Sequence, residues 1–173
     1  MYKRQVLLGG RPLIAYPLAA VEAAGLEPVV VAKADSRLPA LDVPVWREPE
    51  GPSHPLCGIV AALRQAGGRA VVAVGCDMPF VTAALVARLA SLDVALAAPL
   101  VDGAFEPLLA RYEPSLVRAL DRALDGRAPM REAIAALGPA PLREAELATL
   151  GDPERLLFNV NTPHDLERAE RDV

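Results

Sequence analysis

The carboxylate most suggestive of chemistry in this sequence is Asp77, which follows an apolar, valine-rich run. Residues 69–76 read Arg-Ala-Val-Val-Ala-Val-Gly-Cys, and Met-Pro comes directly after Asp77. Such a run predicts a strand buried on both faces. Ligands of open α/β sheets bind outside the carboxyl ends of the strands, and carboxylate oxygens suit Mg²⁺. The residues alone leave two interpretations of Asp77 open: a magnesium ligand, or a loop aspartate that caps the next turn.

Two further segments are expected at the same edge of the sheet. Residues 51–58 comprise the end of a Pro/Gly-rich loop predicted over 47–55 and the start of the helix that follows it, and the backbone amides of Gly51 and Gly58 near that helix N-terminus suit an anion. Residues 159–163, Asn-Val-Asn-Thr-Pro, end a strand predicted over 155–161. The amide of Asn161 could orient an acceptor without repelling phosphates, or it could simply form a turn at the strand end.

The alternation of strand-like and helix-like segments predicts a three-layer α/β domain with a mostly parallel sheet. Strands are expected at residues 28–32, 43–46, 69–76, 94–99, 106–112 and 155–161, and helices at 12–24, 56–66, 82–91, 113–125 and from 163 onward. Right-handed crossovers would bring the strand ends after Ala32, Trp46, Cys76 and Val160 to one edge. Without repeats or linkers, residues 1–173 are expected to form a single domain.

Composition narrows the functional class. The chain of 173 residues has 53% hydrophobic residues, enough for a core in one domain. Its net charge of −4 argues against nucleic acid or an anionic membrane as a partner. Two cysteines and two histidines without a metal-binding spacing argue against zinc. With no signal peptide pattern and no long apolar run, we expect a cytoplasmic protein with free thiols.

Five sequence blocks, in order along the chain, carry a family resemblance. They are Leu8-Gly-Gly-Arg-Pro-Leu-Ile14, Pro55-Leu-Cys-Gly-Ile59, Asp77-Met-Pro79, Asp102-Gly103 with Glu106-Pro107, and Asn159-Val-Asn-Thr-Pro163 with Asp165-Leu166. Together they resemble the MobA-like nucleotidyltransferases and, within that family, the molybdenum cofactor guanylyltransferases. His164 stands where the family usually has a glutamate. The resemblance implies a Rossmann-like, GT-A-like nucleotidyltransferase domain.

The same resemblance implies an activity and assigns roles to residues. The expected reaction is Mg²⁺-dependent transfer of GMP from GTP to molybdopterin, with release of pyrophosphate. Asp77 would hold the metal between the α-phosphate and the acceptor phosphate, Asn161 would be the second catalytic residue, and Gly51, Gly58 and Asp77 would contact the nucleotide. GTP and molybdopterin are the implied partners, together with molybdoenzymes or their chaperones.

The chain departs from the family pattern at its start. Family members open with a strand and a glycine-rich loop whose backbone amides and lysine hold the triphosphate. By its spacing from the Gly9-Gly10 pair, Lys3 would be that lysine, but the rest of the loop is missing. We therefore expect the first strand and loop to be truncated and this chain to be inactive or nearly so. The alternatives are a cytidylyltransferase for the same cofactor, a transferase acting on a sugar or phospholactate, and a non-catalytic relative that binds the cofactor or a partner enzyme.

Overall fold

The computed structural model describes residues 6–173. The strands in this part of the chain are β1 (Leu7–Leu8), β2 (Arg11–Pro12), β3 (Val30–Ala32), β4 (Val45–Arg47), β5 (Val71–Val74), β6 (Leu96–Val101), β7 (Ala104–Phe105), β8 (Leu109–Tyr112) and β9 (Ala140–Arg143). The helices are α1 (Ala15–Ala23), α2 (Pro55–Gln65), α3 (Ala83–Ser91), α4 (Val117–Asp125), α5 (Met130–Ala136), α6 (Glu144–Leu147), α7 (Pro153–Leu156) and α8 (Pro163–Glu170). The predicted α/β class is confirmed.

The strands pair differently from the expected mostly parallel sheet. The main sheet runs β5-β8-β6-β7, with β9 added beside β6. Within it only β6 and β9 are parallel, and the other pairs are antiparallel. The reversal is made at Asp102 and Gly103, whose φ angles of 51° and 74° form the turn between β6 and β7. The parallel pair β3/β4 and the hairpin β1/β2 lie apart from this sheet.

Helices cover the main sheet on both faces. On one face, the apolar stripe of α2 packs against α4 and α5 around the buried Tyr112. On the other, α3 and α6 pack around the fully buried Met78 and Leu109. Each large apolar side chain buried in these clusters contributes roughly 1.5–3 kcal/mol to folding. The expected three layers are therefore present, with the sheet between two helical layers.

Two predicted elements differ in the structure. The first helix begins at Ala15 instead of residue 12, because Arg11 and Pro12 pair in β2. Pro17 falls in its first turn, where a missing N–H costs no hydrogen bond. The strand predicted over 155–161 is replaced by α7, which Asp152 caps by accepting from the Glu154 N–H at 3.1 Å, and by a segment without regular structure.

Strand β5 is also less buried than its valine-rich sequence predicts. All four of its residues are half-buried. The physical reason is its position: β8 flanks one edge, while no strand within residues 6–173 pairs with the other. A cavity of about 870 Å³ lies along that open edge.

Candidate active site

The turn that carries Asp77 is fixed from both sides. Before it, the Gly75 N–H donates to the Leu108 carbonyl at 2.6 Å. After it, Met78 is fully buried, and its N–H donates back to the Gly75 carbonyl at 3.3 Å. A Cβ on Gly75 would lie 2.8 Å from Asp77 Oδ1, so the carboxylate folds over a position that only glycine leaves open. The half-buried Asp77 is thus presented at the carboxyl end of β5.

The segment around Asn161 lies against this turn. The Val160 N–H donates to the Asp77 carbonyl at 2.8 Å, which joins the two segments directly. Asn161 follows with an exposed side chain, and its N–H donates to Asp165 Oδ2 at 3.0 Å. The structure therefore brings together Asp77 and Asn161, the two residues predicted as catalytic, although the roles themselves stay predictions.

A capping box at the start of α8 holds the Asn161 segment in place. Thr162 Oγ1 accepts from the Asp165 N–H at 3.1 Å, and Asp165 Oδ2 accepts from the Thr162 N–H at 2.8 Å. The hydrogen bond from the Thr162 hydroxyl, followed by those from the Thr162 and Asn161 amides, holds the pKa of Asp165 below its usual 3.8. The capping box therefore links the position of the Asn161 segment to the ionisation of Asp165.

Replacing Asp165 with asparagine is expected to destabilise the protein in a pH-dependent way. Since the pKa of Asp165 is lower in the folded state, its contribution is present above pH 3.8 and is lost as the pH falls through the folded pKa. Urea unfolding at pH 7 should show a lower midpoint for Asp165→Asn than for wild type, and the difference should shrink at pH 3. The exposed Glu167→Gln in the same helix serves as control; a pH-independent difference would contradict the assignment.

The two glycines predicted to bind the nucleotide do not share a cavity. Gly58 lies in the first turn of α2 and lines the 870 Å³ cavity, where a Cβ on it would be 3.1 Å from Glu48 Oε2. Gly51 lines a separate cavity of about 440 Å³ beside Arg64. Lys3, the third predicted nucleotide ligand, lies outside the described residues. Among the predicted nucleotide contacts that the structure describes (Gly51, Gly58 and Asp77), only Gly58 therefore lines the larger cavity.

His54 has a structural role at the start of α2. Its Nδ1 accepts from the Leu56 N–H at 3.2 Å, so its Nε2 carries the proton in the neutral ring and donates to the Ala128 carbonyl at 3.2 Å. Both ring nitrogens are thus used by the backbone. This arrangement fixes the loop over residues 51–54 against the segment that precedes α5.

A stack of two arginines and two phenylalanines flanks the Asp77 edge and was not predicted from the sequence. The rings of Phe80 and Phe158 lie 5.8 Å apart. The guanidinium of Arg155 lies 4.5 Å from the Phe80 ring centroid, and that of Arg168 lies 5.1 Å from the Phe158 ring centroid. One phenylalanine lies three residues after Asp77 and the other three residues before Asn161. This spacing is the sequence signal from which their position at the site could have been predicted. The stack holds two exposed cations near the Asp77 turn.

The part of the chain that the structure describes contains neither a cluster of metal-binding side chains nor a membrane-spanning helix. Within residues 6–173, no three His, Cys, Asp or Glu side chains are grouped as a metal site. None of the helices over the same range combines the length and apolar character needed to cross a bilayer. Among these residues, Asp77 is therefore not part of a cluster of three or more metal-binding side chains.

Comparison with known sequences gives a consistent result. Residues 2–142 match the model of the MobA-like NTP transferase domain. The molybdenum cofactor guanylyltransferase of Cereibacter sphaeroides is 32% identical over 174 residues, covering 97% of this chain and 86% of that protein. The molybdenum cofactor guanylyltransferase of Rhizobium johnstonii is 33% identical over 185 residues, which cover 98% of this chain and 84% of that protein. The chain spans 58% of the length of a probable guanylyltransferase from Pelotomaculum thermopropionicum, at 33% identity.

Solved structures agree with the sequence relatives. The molybdopterin-guanine dinucleotide biosynthesis protein A of Archaeoglobus fulgidus superposes with a TM-score of 0.82 at 27% identity, covering 98% of this chain and 89% of that one. The 2-C-methyl-D-erythritol 4-phosphate cytidylyltransferase of Thermus thermophilus gives 0.71 at 22% identity, covering 98% and 92%. The second likeness shows the nucleotidyltransferase fold alone.

Proposed function

Because the chain belongs to the MobA-like NTP transferase domain family, we propose that it transfers GMP from GTP to molybdopterin and releases pyrophosphate. The observation that carries this proposal is the similarity to guanylyltransferases over nearly the whole chain. The joined Asp77 and Asn161 segments supply an edge suited to the reaction. We place the reaction in the cytoplasm, with molybdoenzymes or their chaperones receiving the product.

Asp77 is the residue proposed to hold Mg²⁺. Magnesium keeps several waters and is typically held by one or two carboxylates plus substrate phosphates, which fits a single aspartate better than a closed cage would. When bound, the ion would neutralise the charge on the reacting phosphates and orient them. Asp77 is suited to this role because its carboxylate lies over Gly75 at a sheet edge.

Other residues at this edge would position the acceptor. The exposed amide of Asn161 can donate to or accept from an acceptor group without adding negative charge. Arg155 and Arg168, held over phenylalanine rings, supply positive charge for a phosphate-bearing acceptor. These residues lie on or beside the two joined segments that carry Asp77 and Asn161. Phosphate transfer depends mainly on positioning and electrostatics, which such residues can supply.

The nucleotide side is incomplete within residues 6–173. Gly9 and Gly10, with φ angles of 54° and 78°, form the tight turn of the β1/β2 hairpin. Gly58 at the start of α2 is the predicted nucleotide contact that lines the larger cavity. We therefore propose that the present sequence binds GTP weakly and turns over slowly unless a triphosphate loop is added.

Measuring pyrophosphate release tests the proposed reaction. This chain, and a fusion that carries a strand and glycine-rich loop of the family pattern ahead of it, would each be incubated with molybdopterin, Mg²⁺ and GTP, CTP or ATP. In the fusion, we expect pyrophosphate release to be at least about tenfold faster with GTP than with CTP or ATP. In the unfused chain, we expect pyrophosphate release to be slow.

Two results would contradict the proposal. Faster release with CTP than with GTP in the fusion would identify a cytidylyltransferase. Binding of molybdopterin by the fusion without pyrophosphate release from any of the three nucleotides would identify a non-catalytic relative.

A further inference from the structure

The carboxylate of Glu106 lies close to the turn that carries Asp77. Leu108 connects the two, because its carbonyl accepts from the Gly75 N–H at 2.6 Å and its N–H donates to Glu106 Oε1 at 3.2 Å. The Glu106 N–H donates to the carbonyl of Pro99 in β6 at 3.1 Å. Glu106 is therefore fixed two residues from the backbone group that anchors the Asp77 turn.

The other oxygen of this carboxylate faces an exposed arginine. Glu106 Oε2 lies 3.5 Å from Arg131 Nη2, and the two side chains are 17% and 67% exposed. The contact is longer than the Arg64–Asp121 pair, in which Arg64 Nη2 lies 2.9 and 2.7 Å from the two carboxylate oxygens. Arginine has five N–H donors, and the contact with Glu106 uses one of them. Arg131 can therefore bond a second acceptor without leaving Glu106.

The buried face of α5 fixes the position of Arg131. Arg131 lies in the first turn of this helix, while Ala133 and Ile134 are buried in the core cluster on one face of the main sheet. Ahead of the helix, the Ala128 carbonyl accepts from the His54 ring at 3.2 Å, which ties this segment to α2. Arg131 is thus presented at the surface by an anchored helix.

Tyr112 holds the turn that carries Glu106 from the buried side. The Tyr112 hydroxyl donates to the Pro107 carbonyl at 2.7 Å. Burial and, to a smaller extent, the negative charge of Glu106 raise the pKa of Tyr112. The hydroxyl therefore keeps its proton and its bond to Pro107. The Glu106 carboxylate is held in one orientation as a result.

A carboxylate beside a guanidinium matches the edge of an amino-oxopyrimidine ring. This edge has N–H donors on a ring nitrogen and on the neighbouring amino group, followed by a carbonyl oxygen. A carboxylate accepts from both N–H groups, and an arginine donates to the carbonyl. Two molecules in the proposed reaction have this edge: GTP has it in guanine, and molybdopterin has it in its pterin.

The position of Glu106 favours the pterin over guanine. Gly58, the predicted nucleotide contact, lines the cavity bordered by residues 28–31 and 70–75. Glu106 lies on the opposite side of β5, where β8 and β6 follow in the main sheet. Molybdopterin has its phosphate and its pterin edge at opposite ends. An acceptor whose phosphate lies at Asp77 can therefore extend its pterin toward Glu106.

We propose that Glu106 and Arg131 recognise the amino-oxo edge of the acceptor's pterin, Glu106 by accepting its N–H groups and Arg131 by donating to its carbonyl oxygen. This inference rests on the proposed function, because it takes a pterin as the acceptor. The two residues determine which acceptor binds and take no part in the chemistry at the phosphates. A ring with a carbonyl in place of the amino group would turn an acceptor toward the Glu106 carboxylate and bind weakly.

Binding of a free pterin tests the proposal. The probe is 6-hydroxymethylpterin, which has neither phosphate nor nucleotide, and the control probe is 6-hydroxymethyl-lumazine, in which a carbonyl replaces the amino group. In equilibrium dialysis, we expect wild type to bind the pterin at least about tenfold more tightly than the lumazine. Glu106→Gln keeps an acceptor oxygen for the Leu108 N–H. It should bring the two affinities within about threefold of each other, since the charged acceptor is lost.

Two further variants separate recognition from structure. Arg131→Met removes the donor to a carbonyl that both probes have, so it should weaken both about tenfold and leave their ratio unchanged. Glu132→Gln, the exposed neighbour of Arg131 in α5, is the matched control and should leave both affinities unchanged.

Several outcomes would overturn the proposal. They are equal binding of the two probes by wild type, no binding of the pterin at about 1 mM, and an unchanged preference for the pterin in Glu106→Gln. Binding of GMP, measured in the same way, distinguishes the two sources of the edge. If Glu106→Gln weakened GMP binding and left the pterin unaffected, the pair would recognise guanine and the pterin assignment would be lost.

The dialysis experiment is independent of nucleotide transfer. A pterin preference that depends on Glu106, found together with no pyrophosphate release from any nucleotide, would support this inference and contradict the proposed reaction. Pyrophosphate release without a pterin preference would support the reaction and overturn this inference.

Discussion

Replacing Asp77 with asparagine is expected to lower the rate of pyrophosphate release by about 10²–10³-fold in the fusion that carries a triphosphate loop. Asparagine keeps the size of the side chain but removes the negative charge that would hold Mg²⁺. Since the carboxylate lies over Gly75 at 2.8 Å from the position of a Cβ, the amide can occupy the same space. The loss should therefore appear in kcat and not in the stability of the fold.

The matched control is Asp93→Asn, an exposed aspartate in the connection between α3 and β6. It should leave the rate unchanged. If Asp77→Asn retained a rate within about threefold of wild type, Asp77 would be a turn-capping residue and the metal assignment would be lost. Titration of Mn²⁺ with nucleotide present, comparing wild type and Asp77→Ala, reports on the metal directly.

Replacing Met78 with alanine is expected to lower the free energy of unfolding by about 2–5 kcal/mol, measured by urea denaturation. Met78 is fully buried among the side chains of α3, including Leu85 and Leu89, and truncation leaves a cavity there. Its Cγ also lies 3.1 Å from the Cβ position of Gly75. Truncation should therefore loosen the Asp77 turn as well as the core.

Two variants separate cavity formation from the loss of a methionine. Met78→Leu conserves volume and should cost less than about 1.5 kcal/mol. Met130→Ala removes a partly buried methionine at the margin of the other core cluster and should cost less than Met78→Ala. Equal destabilisation by Met78→Ala and Met130→Ala would contradict the larger cavity penalty expected at Met78.

Elements with strong local signals were predicted well from the sequence. Helix α3 is the clearest case, because Thr82 provides the predicted cap, accepting from the Leu85 N–H at 3.3 Å, and the apolar residues recur at helical spacing. The meeting of Asp77 with the Asn161 segment was also predicted. The alternation of strands and helices implies that several segments end at one edge of the sheet, and the hydrogen bond from the Val160 N–H to the Asp77 carbonyl joins two of them there.

Features that depend on distant pairing were not predicted. Strand β9 is held by its parallel partner β6, about forty residues earlier, and its own sequence, Ala-Pro-Leu-Arg, carries no strand pattern. The insertion of β8 between β5 and β6 depends on which strands it meets. Arg111 lies within β8 as a buried cation, and only its three-dimensional neighbours, Val94 and Glu113, explain it.

The position of Trp46 gives the protein a built-in optical reporter. It is the single tryptophan of the chain, lies opposite Val31 in the β3/β4 pair and borders the 870 Å³ cavity while half-buried. A ligand that enters the cavity would displace water from the indole environment, which shifts tryptophan emission to shorter wavelength and shields the ring from iodide quenching. Intrinsic fluorescence can therefore follow occupation of the cavity in unlabelled protein.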